Sequence, residues 1–167
     1  MRVSIKKIED RNKEQVVIEC VEVTPEIREI EAYAESKGTI LCGMAQEKHM
    51  KQFSLTEVFY FEAIDEKVFA YTEEEVFEIR QRLYEVEHAY EKYHFVRCSK
   101  SVVLNLMLLD SISPALNGRF FAHMKNGERL MISRQYAMQN TNTSSTHKKS
   151  FCHLTNFGFI SHGLFLP

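Results

Sequence analysis

The chain has 167 residues, of which 44% are hydrophobic and 26% charged, and its formal net charge is −2. This composition is typical of a soluble globular protein, and the absence of any apolar run near the ~20 residues of a membrane span argues against a helical membrane protein. The N-terminal sequence MRVSIKKIED has no apolar core of the kind found in signal peptides, so we expect a cytoplasmic protein.

The charge is divided unevenly along the chain. Residues 1–91 contain 12 Lys and Arg against 21 Asp and Glu, whereas residues 92–149 contain 9 against 2, and residues 150–167 contain none. Because phosphate contacts dominate nucleic-acid affinity, a local basic face can bind DNA while an acidic remainder lowers non-specific binding. The alternative is an accidental imbalance.

Residues 1–37 are predicted to form a β-β-α lobe. Apolar and polar residues alternate over residues 2–8, and the Val- and Ile-rich run at 15–23 predicts a second strand that pairs with the first. Thr24 and Pro25 are typical of a helix start, and Gly38 ends the helix. We expect this lobe to extend the sheet of the next domain; the alternative is a partner-binding surface.

Residues 38–139 predict one domain of mainly antiparallel strands. Short apolar runs at 39–44, 49–53, 58–64, 68–72 and 76–79 alternate with brief polar turns. An apolar stripe of Leu83, Val86 and Tyr90 then predicts a helix over 80–88 that covers one sheet face. The predicted fold class is mainly β, or α+β overall, with an elongated sheet and few short helices.

The second half of this domain continues the β pattern. Residues 95–105 predict two strands around a polar corner, and residues 110–115, 119–124 and 128–132 predict a three-stranded meander with Asn-Gly turns. A short helix is predicted to start at Arg134. Polar corners at 64–67, 97–101 and 133–136 should form one recognition surface on this scaffold.

Four blocks of the chain resemble the LytTR-type DNA-binding domain of bacterial transcriptional regulators. They are residues 59–72 (FYFEAIDEKVFAYT), 80–87 (RQRLYEVE), 95–112 (FVRCSKSVVLNLMLLDSI) and 126–136 (NGERLMISRQY). The resemblance implies an elongated fold of mainly antiparallel strands that inserts loops into successive major grooves. Where the family often has His-Arg-Ser or His-Asn-Ser, this chain has Ser99-Lys100-Ser101, which changes the base-reading chemistry at that corner.

The resemblance also implies roles for individual residues. Arg134 matches a DNA-contacting position and is the predicted base reader, since a guanidinium can bind guanine O6 and N7 together. Lys100 matches another principal contact and could touch a base or a phosphate, Lys67 lies in a third contact corner, and Arg97 could equally point to the protein's own acidic strands. Four further residues are predicted to position phosphates: Ser99, Ser101, Gln135 and Tyr136.

The sequence contains no recognisable catalytic constellation and neither of the common glycine-rich phosphate-binding motifs. We therefore expect no enzyme activity, no cofactor and no small-molecule substrate. The cysteines are widely spaced and form no C-x-x-C pair, which argues against a zinc site; they are Cys20, Cys42, Cys98 and Cys152.

The sequence thus predicts a sequence-specific DNA-binding regulator with double-stranded DNA as partner. Residues 1–37 are too short for a receiver domain, and by resemblance a second copy on repeated half-sites and a small inhibitory membrane protein are candidate partners. The alternative is a protein-interaction module that keeps the LytTR-like fold but has lost DNA binding. Its support is the acidic first half of the chain.

Residues 140–167 depart from the family pattern. The polar run NTNTSST is followed by a stretch rich in Phe and Leu that lacks Lys, Arg, Asp and Glu from residue 150 onward. We expect an atypical tail that is disordered or loosely packed and is foreign to the family, such as out-of-frame coding sequence. The alternative is a partner-binding tail.

Overall fold

A computed structural model describes residues 4–139 of the chain. These residues form α helices and strands, in chain order: α1 (Pro25–Lys37), β1 (Ile40–Met44), β2 (Met50–Ser54), β3 (Tyr60–Ile64), β4 (Lys67–Tyr71), β5 (Val76–Ile79), α2 (Leu83–Tyr90), β6 (Phe95–Arg97), β7 (Val102–Asn105), β8 (Leu109–Pro114), β9 (Phe120–Met124), β10 (Arg129–Ile132) and α3 (Arg134–Gln139). None of these helices is both long and apolar enough to cross a bilayer.

The strands form two antiparallel sheets. The large sheet has seven strands in the order β2-β1-β5-β4-β3-β7-β6, and the small sheet has three in the order β10-β9-β8. Neighbouring strands are antiparallel throughout the described pairs. The predicted antiparallel pairing, the two strands around the polar corner at 97–101 and the three-stranded meander are therefore confirmed.

Each face of the large sheet supports its own hydrophobic core. On one face, Phe61 and Phe95 pack with Val86 of α2, and all three are essentially inaccessible to solvent. On the other face, Leu104 packs with Ile132 of the small sheet. The helix predicted at 80–88 is observed as α2, slightly later in the chain, and it covers the first face as expected.

The two strands predicted near the N-terminus are wrong within the described residues. Residues 4–23 contain no strand and only one 3₁₀ turn, Arg11–Lys13. A two-stranded hairpin is marginal in water unless a third strand or a helix covers it, and here the apolar side chains stay outside, with Val16 71% exposed. The lobe consequently does not extend the large sheet.

The helix of the N-terminal lobe is confirmed. Thr24 is the N-cap residue and Pro25 the first helical residue, as predicted. Helix α1 packs through buried Ala32 and Ser36, and Lys92 Nζ lies 2.8 Å from Glu35 Oε2. The expectation for the tail, residues 140–167, falls outside the described residues.

A close approach of two aromatic rings requires glycine at position 43. The rings of Phe53 and Phe77, on the two strands that flank β1, stack with centroids 4.2 Å apart. A Cβ at Gly43 would lie 2.7 Å from Phe77 Cβ and 3.1 Å from Phe53 Cε1, which is closer than carbon atoms pack without displacement.

We predict that Gly43→Ala lowers the free energy of unfolding by about 1–3 kcal/mol, because the rings or the strand must move. Thermal denaturation followed by circular dichroism would show this as a loss of several degrees in Tm. Gly38→Ala is the matched control, since the nearest atom to its Cβ would be Glu35 O at 3.6 Å, an ordinary van der Waals contact. A loss at position 43 no larger than at position 38 would contradict the packing argument.

Candidate nucleic-acid interface

Three polar corners meet at one end of the large sheet. Strand β3 lies between β4 and β7, so the β3–β4 turn and the β6–β7 loop leave the sheet at the same end. Ala63 N donates to Ser101 O at 2.8 Å, and Ser133 N donates to Cys98 O at 2.9 Å, which brings the start of α3 to the same place. We call residues 64–67, 97–101 and 133–136 the loop end. The three corners therefore lie close together, and their role as one recognition surface stays a prediction.

The β3–β4 corner is a tight two-residue turn. Asp65 and Glu66 have φ angles of 47° and 66°. Positive φ at both central residues is typical of two-residue turns that match the right-handed twist of the flanking strands. Lys67 opens β4, and its Nζ lies 2.8 Å from Glu78 Oε2. Arg82 Nη1 donates to Glu66 O at 2.9 Å. Lys67 therefore lies at the loop end as predicted, but it is already ion-paired with a neighbouring strand.

Arg97 braces the β6–β7 loop from inside. Its side chain is only 17% exposed, and Nη1 lies 3.1 Å from Glu87 Oε2 on α2. Nε donates to Ser99 O at 2.9 Å and Nη2 donates to Lys100 O. The Arg97 guanidinium thus points inward, as one of its two predicted roles required, but its carboxylate partner lies on α2 and not on an acidic strand.

This brace leaves Lys100 at the tip of the loop. Ser99 Oγ accepts a hydrogen bond from Ser101 N at 3.2 Å, and Ser101 O is held by β3, so both serines shape the turn. The Lys100 side chain is exposed, and no residue within 4–139 pairs with its ammonium group. The loop thus presents a single unpaired cation on an ordered backbone.

Arg134 is oriented by the β8–β9 turn of the small sheet. It is the first residue of α3 and is exposed, and its Nη2 and Nε lie 2.7 and 3.3 Å from Asn117 O in the β8–β9 turn. Ser133 O accepts hydrogen bonds from Tyr136 N and Ala137 N, which starts the helix. Gln135 is exposed beside Arg134, and Tyr136 is half-buried.

Two residues of this arrangement were not predicted. Arg82 holds the β3–β4 turn, and Asn117 supplies the carbonyl that orients Arg134. The Asn-Gly pair at 117–118 signals a turn in the sequence, but nothing in the local pattern places that turn against a residue 17 positions later. Within residues 4–139 no cluster of His, Cys, Asp and Glu could hold a metal ion.

Cys98 is a structural part of the loop end. The thiol is fully buried, and burial raises its pKa to about 12. Its Sγ lies 3.6 Å from Val102 O, to which it donates, while its carbonyl receives Ser133 N–H. The thiolate is the reactive form of cysteine, so Cys98 is expected to be inert near neutral pH.

The family of the chain follows from comparison with known proteins. The model of the LytTr DNA-binding domain matches residues 48–140, more than half of the chain. The chain belongs to the LytTR family. The matched residues run from the β1–β2 turn to the end of α3, so the LytTR domain includes every corner of the loop end, whereas α1 and β1 precede it.

Individual relatives agree with this assignment. Uncharacterized HTH-type transcriptional regulators of Staphylococcus aureus, for example in strains NCTC 8325 and COL, are 29% identical over 90 residues, which is 54% of this chain and 60% of theirs. The chain thus spans about 60% of the length of these curated relatives. A solved LytTr DNA-binding domain from Bacillus cereus is 28% identical, with a TM-score of 0.57 over 60% of this chain and 92% of that chain.

We predict that Arg97→Ala destabilises the protein by about 1–3 kcal/mol, because it removes charge-assisted hydrogen bonds and leaves Glu87 without its partner. Lys100→Ala is the matched control, and as an exposed substitution it should change stability by less than about 0.5 kcal/mol. Chemical denaturation of the two variants measures the difference. Equal stability of the two variants would show that the brace contributes nothing.

We also predict slow modification of Cys98 by a thiol reagent such as Ellman's reagent at pH 8. In a variant with Cys152 replaced by Ser, the exposed thiols Cys20 and Cys42 should react first, and Cys98 only after denaturant is added. Three equally fast thiols in the native protein would contradict the burial of Cys98.

Proposed function

We propose that this protein is a sequence-specific DNA-binding transcriptional regulator that presents its loop end to the major groove. The observation that carries the proposal is the convergence of three polar corners at one end of a LytTR domain, with Lys100 and Arg134 exposed on two of them. The staphylococcal relatives are named as uncharacterized transcriptional regulators, and these names support the same function.

The cations of the loop end differ in whether they form ion pairs within the protein. Lys67 and Arg97 are paired with Glu78 and Glu87, so Lys100 and Arg134 are the cations of the loop end that have no ion pair within residues 4–139. We assign base reading to Arg134, whose guanidinium is already oriented by Asn117, and a base or phosphate contact to Lys100. Lys67 remains the third proposed contact, at a turn that also carries two carboxylates.

The smaller polar side chains complete the proposed interface. Phosphate contacts fix the register of a protein on DNA and come from hydroxyl, amide and backbone donors as well as from cations. We assign this role to Ser99, Ser101, Gln135 and Tyr136, while Arg97 acts from inside by holding the loop. By resemblance, a second copy on a repeated half-site and a small inhibitory membrane protein are proposed as further partners.

The test begins with selection of preferred duplexes from a random library by the purified protein. On the selected duplex, Arg134→Ala should weaken binding by about 1–3 kcal/mol, with a much smaller effect on a scrambled duplex, as expected for a base-edge contact. Arg129→Ala is the control, because it removes an exposed arginine at the other end of the small sheet. Fluorescence anisotropy gives both affinities.

Salt provides an independent measure of the same interface. Affinity should fall steeply as the salt concentration rises, because phosphate contacts release counterions from DNA.

Equal losses of affinity for the two duplexes in the Arg134→Ala variant would make Arg134 a phosphate contact and not a base reader. Failure to select any sequence, together with no salt dependence, would favour an interaction module that has lost DNA binding.

A further inference from the structure

The small sheet has an open edge at strand β10. This strand is outermost and pairs only with β9 among the described residues. Met124 N donates to Glu128 O at 2.8 Å, and hydrogen-bonded pairs alternate along an antiparallel ladder, so every second residue from Glu128 onward bonds to β9. Arg129 and Met131 lie between these residues. Their backbone N–H and C=O groups therefore point away from β9, where an added strand can bind them.

Charge distinguishes this edge from the other open edges in the described part of the chain, which are those of β2, β6 and β8. Lys51 of β2 and Arg97 of β6 are ion-paired, and the charged residue of β8 is Asp110. Arg129 is exposed and lies over the Phe121 ring, 4.4 Å from its centroid, but it forms no ion pair with any residue that the structure describes. The edge of β10 thus suits a strand that carries a carboxylate.

The two faces of β10 differ in character. On the outer face, Arg119 adds a second exposed guanidinium, with Nη1 3.5 Å from Met131 Sδ, and Met131 itself is 45% exposed. On the inner face, Leu130 packs against the second core but is only partly buried. A strand added to this edge would cover Met131 from one side and Leu130 from the other.

The chain carries a segment of matching pattern. Residues 14–23, which we call the acidic segment, contain three Glu, five Val or Ile and no Lys or Arg. They form no strand in their own chain, and Val17 is 65% exposed and Val21 fully exposed. Because side chains alternate along a strand, Val17 and Glu19 would share one face and Ile18 would lie on the other.

We propose that the acidic segment of one copy adds to β10 of a second copy as an antiparallel strand. Glu19 lies opposite Arg129 and Val17 lies opposite Met131, so the free backbone groups of the edge gain partners. Directly opposite residues point to the same face, so Glu19 and Arg129 form an ion pair on the outer face.

The same register places Ile18 opposite Leu130 on the inner face, where both leave water. The added strand is short, because Ser133 N is already bound to Cys98 O at 2.9 Å beyond one end of the edge. Since each copy has one acidic segment and one open β10, reciprocal exchange closes a two-fold dimer.

The first test measures the mass of the full chain by sedimentation velocity over a range of concentrations, with two charge-reversed variants. E19R and R129E should each raise the dimer dissociation constant by about 10-fold or more, because two ion pairs per dimer become two like-charge contacts. E14R is the control. It makes the same charge change about 16 Å of extended chain from Glu19, or about two screening lengths, and should change the constant by less than about twofold.

Restoration of the dimer identifies the contact. The double variant E19R/R129E should dimerise again, and an equimolar mixture of the two single variants should form a heterodimer, since each segment then meets an edge of opposite charge. A monomeric wild-type protein, a dimer insensitive to E19R, or folded variants without restoration would each overturn the proposal.

Proline substitutions test the backbone pairing separately from charge. Val17→Pro removes the N–H that donates to Met131 O in the proposed strand, whereas the N–H of Val16 points away from β10, where an edge strand tolerates proline. V17P should weaken the dimer about 10-fold more than V16P. Both positions lie outside the two sheets, so this comparison holds even if R129E does not fold. Equal losses would exclude the added strand.

The masses are measured without DNA, so this proposal and the proposed function can fail independently. A monomer can still select a preferred duplex, and a dimer can fail to select one. Arg129→Ala remains a control for DNA binding at protein concentrations below the dimer dissociation constant, where the acidic segment and β10 are apart.

Discussion

The structure depends on the burial of strand β3 on both of its faces. Tyr60 packs toward the small sheet and Phe61 toward α2, so successive residues of one strand hold two cores together. Full burial of one such aromatic side chain contributes roughly 1.5–3 kcal/mol. Because β3 also pairs with β4 and β7, a shift of its register by one residue would exchange the two cores and displace two corners of the loop end.

Order in the loop end comes from internal bonds that leave its outward side chains exposed. Arg97 uses its donors on Glu87 and on two loop carbonyls, and Arg82 donates to one carbonyl of the β3–β4 turn, Glu66 O. A loop that is already ordered loses less conformational entropy when it binds a partner. The internal bonds of Arg82 and Arg97 thus hold the loop backbone while the side chains of Lys100 and Arg134 stay exposed.

Local pattern in the sequence predicted the elements whose partners lie close in the chain. The β3–β4 hairpin, the strands around residues 97–101 and the meander from β8 to β10 all follow from alternation and turn residues. The internal role of Arg97 remained one of two possibilities, because its choice between solvent and Glu87 depends on how α2 packs against β6. The contact between Arg134 and Asn117 could not be predicted, since it requires the relative placement of α3 and the small sheet.

In the N-terminal segment, by contrast, the local pattern predicted strands that do not form. Its alternating Val and Ile residues carry a real preference for strand, yet the described chain provides no sheet that accepts them, and propensity alone does not hold a two-stranded hairpin together.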